Sequence, residues 1–334
     1  MRALHGKIVA GVVAGLMAGA ISAGPAPAAD PDQPVQDETE PELPVSAKQA
    51  APGAAVNPHF KRPKTDNPTR DGTRALGPRN IQAAWFSGAI VRYRHSPFGI
   101  NELHPDTITV SLADRRVMRL TLPADSVFED RSPRIADIDG DGRDEILVIR
   151  SYQKKGSALA VIAVRGDKLE IVAETPALGQ PFQWLNPAGV ADFDGDGKPD
   201  IAIVAKPHQS GELQFWTLRN GEFEQLGDVD DVTNHVQGST EQGLSAIADF
   251  NGDGVADIAM ASENRRNLRF FTLSGGKLRD LGSAPLQAPV AENFEVVIVD
   301  GLPAVKVGFA GGRKQVIAPC RAVDDWRMVK GQCP

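Results

Sequence analysis

The sequence predicts an all-β chain made by repeating one four-stranded unit, and three observations carry that expectation. One nine-residue pattern occurs three times, as Asp137-Ile-Asp-Gly-Asp-Gly-Arg-Asp-Glu145, Asp192-Phe-Asp-Gly-Asp-Gly-Lys-Pro-Asp200 and Asp249-Phe-Asn-Gly-Asp-Gly-Val-Ala-Asp257. The copies begin 55 and 57 residues apart, so each holds the same place in a larger repeat. From Ile81 onward, short β-branched or alternating apolar runs are separated by Gly, Asp, Asn and Pro, with no sustained helical period.

The third copy sets the ruler. Leu244–Phe250 reads as a strand entering the acidic loop and Asp257–Ser262 as the strand leaving it. Leu268–Leu273 and Lys277–Leu281 follow around the turn at Ser274-Gly275-Gly276. The second copy gives Gly189–Phe193, Ile201–Lys206, Leu213–Arg219 and Glu222–Leu226. The first gives Arg134–Ile138, Ile146–Ser151, Ala158–Val164 and Lys168–Ala173. Weaker copies flank these three. Ala83–Phe86, Ile90–Tyr93, Thr107–Leu112 and Val117–Leu122 precede them. Phe294–Val299, Ala304–Phe309, Lys314–Ile317 and Trp326–Lys330 follow. Four antiparallel strands per repeat is the unit of a β-propeller blade. The expectation is a propeller of about five blades, with acidic loops between strands one and two of the middle three.

The loops define a chemistry. Oxygen side chains at positions 1, 3, 5 and 9, with a carbonyl at 7 and glycine at 6 for a sharp turn, suit a hard cation that takes six to eight oxygens. The ligand sets are Asp137, Asp139, Asp141, the Arg143 carbonyl and Glu145; Asp192, Asp194, Asp196, the Lys198 carbonyl and Asp200; and Asp249, Asn251, Asp253, the Val255 carbonyl and Asp257. This predicts about three Ca²⁺ sites. The third has one charge fewer and is expected to bind most weakly. Without metal, such carboxylates would repel one another strongly. An EF-hand fails as an alternative: its bidentate position 12 falls on Val148, Ile203 or Met260, inside apolar strands. A dockerin-like reading lacks helices in the same way. The metals are expected to be structural, each adding roughly 1.4 kcal/mol at ten times its Kd.

Strand, Asp-x-Asp/Asn-Gly-Asp-Gly-x-x-Asp/Glu, strand resembles the FG-GAP/VCBS repeat of integrin α-subunit propellers and bacterial exported proteins. The resemblance covers roughly residues 80–334. The Phe-Gly and Gly-Ala-Pro flanks of integrin repeats are absent, so the bacterial group is the nearer likeness. It implies a calcium-bearing propeller used for adhesion, ligand binding or scaffolding, and implies no single activity.

Composition bounds the rest. The chain has 334 residues, 41% of them hydrophobic, with 13 Phe and 4 Trp, enough for a large core. Its net charge of −7 argues against a nucleic-acid partner. Eleven of the 43 acidic residues are loop ligands, so much of that acidity is site charge. Arg2 and Lys7, the apolar run Ile8–Ile21 and Ala26-Pro27-Ala28 read as a cleavable signal peptide over residues 1–28. The run is too short to span a bilayer, and no cysteine precedes Cys320 to carry a lipid anchor. A secreted or periplasmic location follows, with no transmembrane segment in the mature chain. Residues 29–75 read as a disordered, proline-rich linker. Cys320 and Cys333 are the only cysteines, and export makes their pairing the expected disulfide, worth roughly 3 kcal/mol for such a loop.

The strand order sends the second-to-third and fourth-to-first connections to the end opposite the acidic loops. Ser96–Asp106, Thr175–Ala188 and Asp230–Gly243 gather there, so His95, Trp184, His208, Asn234 and His235 form a possible ligand face. The histidines either frame a polar or metal pocket or serve as loop hydrogen-bonding groups. Trp184 either stacks on a sugar or fills a gap between blades. No catalytic residue is assigned: Ser239 near His235 lacks a Gly-x-Ser-x-Gly elbow and a third partner. No glycine-rich phosphate loop occurs. Three functions stay open: binding or scaffolding of a protein or glycan partner, a periplasmic hydrolase or lyase using the histidine face, and a purely structural envelope protein.

Overall fold

In a computed structural model of the chain, the described residues are 73–99, 103–322 and 325–327. The signal peptide, almost all of the linker and Cys333 lie outside them, as does the Cys320 side chain.

The described chain is all-β apart from one 3₁₀ turn at Ser274–Gly276. Five antiparallel sheets of three or more strands follow one another in sequence, with their strands in chain order, and a two-stranded ribbon comes after them. The first sheet holds Ala75–Leu76, Ile81–Ile90, His104–Leu112 and Val117–Thr121. In the second, Ser126–Phe128 and Arg134–Ala136 both pair with Glu145–Tyr152, followed by Gly156–Arg165 and Lys168–Glu174. The third runs Leu185–Ala191, Asp200–Ala205, Glu212–Arg219 and Glu222–Asp230. In the fourth, Val232–Thr233 and Ser245–Ala248 share Asp257–Ser262, before Asn267–Thr272 and Arg279–Pro285. The fifth has Val290–Val299, Leu302–Phe309 and Lys314–Ile317. This succession is the blade pattern of a β-propeller.

Both faces of the middle sheets are covered. Ile146 and Val148 pack with Phe86, Ile108 and Phe128, while Leu147 and Ile149, on the other face of the same strand, pack with Leu185, Ile201 and Ile203. Asp257–Ser262 repeats this: Ile258 and Met260 join Val204 and Phe215, and Ala259 and Ala261 join Val305 and Phe309. Burial on two sides is why these strands read as continuous apolar runs rather than as alternating ones.

Several boundaries differ from the sequence expectation. Ala83–Phe86 and Ile90–Tyr93 are not two strands. Ile81–Ile90 is one, and Gly88 (φ 72°) admits Asp106 where the ladder skips a residue. The first strand of that sheet is Ala75–Leu76, upstream of the expected start. Asp325–Arg327 does not extend the fifth sheet. It pairs with Cys320–Ala322 in a separate ribbon, and 328–330 lie outside the described residues. The three long connections are shorter than expected, because His104–Asp106, Leu185–Ala188 and Val232–Thr233 are paired as strand. Among the described residues no helix is long and apolar enough to cross a membrane.

Gly211, just before the third strand of the third sheet, lies against Val232 of the fourth. It sits at φ 48°, and a β-carbon there would collide with the Val232 carbonyl. Gly166 has a similar φ of 63° but open space around it. Gly211→Ala should cost more than about 3 kcal/mol and Gly166→Ala about 1 kcal/mol. The two urea midpoints measure the difference, and equal shifts would contradict the close approach.

Candidate metal centres and the opposite face

Each acidic loop is built the same way. The position-1 aspartate accepts the backbone N–H of position 6: Gly142 to Asp137 at 3.0 Å, Gly197 to Asp192 at 2.9 Å and Gly254 to Asp249 at 3.1 Å. Position 3 accepts from position 5, as Asp141 to Asp139 (3.0 Å), Asp196 to Asp194 (2.9 Å) and Asp253 to Asn251 (2.8 Å). Position 9 accepts from position 2, whose side chains Ile138, Phe193 and Phe250 are buried in the cores. These bonds close only if positions 4 and 6 are left-handed. Gly140 and Gly142, Gly195 and Gly197, and Gly252 and Gly254 all lie at φ between 77° and 86°. Sequence reasoning gave that role to position 6 alone.

Carboxylate oxygens left over from this scaffold converge. One oxygen each from Asp137, Asp139 and Glu145, and from Asp192, Asp194 and Asp200, lie within 4.8 Å of one another. Asp137 Oδ1 and Asp200 Oδ1 are buried and accept no hydrogen bond, which such oxygens rarely tolerate without a cation. Burial pushes Glu145 up to about 7, and Asp200 and Asp257 up to about 6, with neighbouring aspartates adding to the shift. Donor type, convergence and orphaned oxygens fit a hard divalent ion. Asp141 and Asp196 stand outside the two convergent groups, and Asp196 meets Arg219 at 3.0 Å.

The third loop differs for a structural reason as well as by charge. Asn251 spends its Oδ1 on the Asp253 amide. Its Nδ2 faces Asp257 (3.2 Å) and Asp253 (3.3 Å), where Asp139 and Asp194 present an oxygen. A donor therefore stands where the other two loops present a carboxylate oxygen. Asn251→Asp should tighten calcium binding at this loop by about tenfold, roughly 1.4 kcal/mol. Calorimetric titration measures it, and an unchanged weakest site would show that this position is not a ligand.

The loops also join neighbouring sheets. Asp144, at position 8 and 1% exposed, receives Arg79 Nη1 at 2.7 Å and the Arg79 amide at 2.9 Å, and donates its own amide to Asn80 at 2.5 Å. The Gly275 amide of the fourth sheet donates to the Asp194 carbonyl at 3.0 Å. Positions equivalent to Asp144 are Pro199 and Ala256, so a repeat alignment hides its role.

At the opposite end, the expected face residues meet but are mostly buried. His208 donates from Nε2 to Nδ1 of His235 at 2.7 Å, since His235 Nε2 must donate to the Ser239 carbonyl at 3.0 Å. Trp184 stacks on His208 (centroids 5.5 Å) and donates to the Glu129 carbonyl at 3.0 Å. Asn234 holds the Asn186 carbonyl at 3.0 Å. Trp184, His235 and Asn234 are at most 2% exposed. His95 is separate, its Nδ1 2.5 Å from the fully buried Glu129, which also receives Ser151 at 2.5 Å. Sequence reasoning missed Glu129, Asp144 and Phe182. Phe182 packs on Tyr93 and His95, is 47% exposed, and takes φ 62°, a costly conformation for a bulky residue. An open surface cavity of about 550 Å³ includes none of the histidines. It lies between the second and third sheets beside Tyr152, Glu174 and Phe223.

Burial, with a neighbouring histidine adding to it, pushes His235 down to about 3 and His208 to about 4. Histidine in an unfolded chain titrates near 6.5, so below that pH the unfolded chain binds more protons and stability falls. The slope is at most about 1.4 kcal/mol per pH unit for each histidine. Urea midpoints at saturating calcium should drop from pH 7 to 5, and less steeply in His208→Gln/His235→Gln. Parallel profiles would place the titrating groups elsewhere.

Strands in blade order, with cation-shaped acidic loops at one end, define a repeat propeller with metal-binding capacity. Residues 137–203 and 192–260 match the FG-GAP-like repeat family, and over that span the chain is built of FG-GAP-like repeats. No curated protein matches the chain in sequence. Among solved structures it is similar to Sqt1 of Saccharomyces cerevisiae (12% identity, TM-score 0.48, covering 79% of this chain and 63% of that one). It is also similar to Sqt1 of Chaetomium thermophilum (15%, 0.43, 74% and 58%) and to rhamnogalacturonan lyase YesW (14%, 0.37, 75% and 60%). The chain spans about three fifths of the length of each. At these levels the likeness assigns neither activity nor partner.

Proposed function

We propose that the chain is an exported propeller, stabilised by about three structural Ca²⁺ ions, that binds a protein or glycan partner through the face opposite its metal loops. The carrying observation is the division between its two ends. Cation-ready carboxylates, with the carbonyls of Arg143, Lys198 and Val255 as further donors, lie in loops knitted to the cores. The other end carries interlocked loops, with His208 and His235 packed on buried Trp184, and the exposed ring of Phe182 resting on Tyr93 and His95. Export rests on the signal-like residues 1–28.

A second reading, a hydrolase or lyase, is favoured by one observation: the histidine–carboxylate pair of His95 and Glu129, a common acid–base arrangement. Against it, neither His95 nor Glu129 lines the 550 Å³ cavity, and His208 and His235 are bonded to each other where burial disfavours their charged forms.

Removing calcium from the full chain with EDTA should lower its melting temperature by about 10 °C, as three sites near ten times Kd imply. Asp196→Ala should produce a fraction of that shift, and partner capture should persist through mild chelation. A melting temperature indifferent to EDTA and to Asp196→Ala would contradict structural calcium. Capture abolished by chelation without loss of stability would place the ion in the binding site instead.

A further inference from the structure

The end of the molecule opposite the metal loops has a charge of its own. The turn between the second and third strands of the second sheet carries Lys154 and Lys155, both exposed, and the matching connection of the first sheet carries exposed Arg94. Arg94 and Lys154 make no ion pair among the described residues, and Lys155 lies over the Tyr152 ring at 4.2 Å. Of the acidic groups nearby, Glu129, Asp130 and Glu174 have close partners, whereas Asp125 is exposed. Glu129 and Asp130 are buried against His95 and Arg134 (2.6 Å), and Asp125 lies 3.8 Å from Arg150. In a chain of net charge −7, these free cations stand at the end away from the carboxylate loops.

Phe182 lies in a loop that adjoins both of these turns. Its loop is bonded onto the lysine turn: the Gly179 amide donates to the Lys155 carbonyl at 2.7 Å, and the Ser157 amide to the Gln183 carbonyl at 2.9 Å. The ring rests on Tyr93 and His95 at 5.6 and 5.8 Å, on either side of Arg94 in the chain. The backbone holds this exposed ring at φ 62°, and residues kept in such conformations concentrate at functional sites. Large apolar side chains exposed in these loops are few, Val91, Leu103 and Phe182, whereas stable protein interfaces have an extended apolar centre. One flat ring with long cations on the adjoining turns instead suits a polar polymer with an apolar ring face and anionic substituents.

We infer that Phe182, Arg94, Lys154 and Lys155 form a binding site for an acidic polysaccharide, a sugar polymer carrying carboxylates or sulfates. Phe182 stacks on a sugar ring, and the three cations pair with its anionic groups. The inference rests on the reading of the chain as a partner-binding propeller and names the partner class and the site.

The test uses the full calcium-loaded chain with four polymers: hyaluronan (carboxylated), dextran sulfate, neutral dextran, and polyphosphate, which has charge but no ring. At least one acidic sugar polymer should bind, more weakly as salt rises, and dextran should not. Lys154→Glu/Lys155→Glu should weaken binding at least tenfold. Phe182→Asn, which tolerates the same φ, should weaken the sugar polymer but leave polyphosphate unchanged. Melting curves matching the wild type establish that both variants are folded, and the lysine turn and the exposed ring leave the cores intact. Binding of sugar polymer and polyphosphate alike, indifferent to Phe182→Asn, would mean charge attraction only and overturn the inference. Absence of binding to either acidic sugar polymer would overturn it too. In that case a protein captured by the same chain would leave the partner-binding reading standing, and no capture of any kind would remove both.

Discussion

The structure turns on a carboxylate placed where water cannot reach it. Glu145, Asp200 and Asp257 begin the second strand of their sheets at 0–2% exposure, directly above two apolar cores. Each accepts the amide of a residue whose side chain is a core member, Ile138, Phe193 or Phe250. Burial of an ionised carboxylate is costly unless it is paired, and the neutral N–H groups here, one on Glu145, two on Asp200 and two plus the Asn251 side chain on Asp257, carry no opposite charge. A proton or a cation must compensate it, and the raised proton affinity of all three groups expresses that requirement. Every other feature of the loop serves the same end. Left-handed glycines turn the chain back, and the first and third side chains supply further oxygens around the same centre.

Because the loop caps a core, it also belongs to the joints between sheets. Arg79 and Asn80 of the first sheet grip the first loop through Asp144, and the fourth sheet reaches the second loop through Gly275. Rigidity gained in a loop is therefore passed to the packing of neighbouring sheets, which is the role expected of a structural ion. The other end has the opposite character. Its histidines and Trp184 form a hydrogen-bonded plug that fixes the loops, while Phe182 and the cations of the adjoining turns face outward.

Much of this was legible in the sequence because it is local. The loops close over nine residues, and strands such as Asp257–Ser262 and Lys314–Ile317 begin and end where composition and turn residues place them. What sequence reasoning missed depends on distant partners. The inner strands of the second and fourth sheets are split at 129–133 and 234–244, and the separate pieces are recognisable only by their shared pairing with Glu145–Tyr152 and Asp257–Ser262. Likewise His208 and His235 are 27 residues apart, and their bond exists only once the third and fourth sheets pack. Asp144 resembled a spare loop residue because its partner, Arg79, lies 65 residues upstream. Phe182 carried one readable signal, an aromatic two residues before Trp184 in a Gly- and Pro-containing loop.

The role of the loops is tested most directly by anomalous diffraction from crystals grown with calcium. Density should appear inside the first two loops about 2.3–2.6 Å from oxygens of Asp137, Asp139 and Glu145, and of Asp192, Asp194 and Asp200, with weaker density in the third. Loops that keep the same conformation at millimolar calcium and hold no ion would show that protons alone compensate the buried carboxylates, and would contradict the structural-metal account.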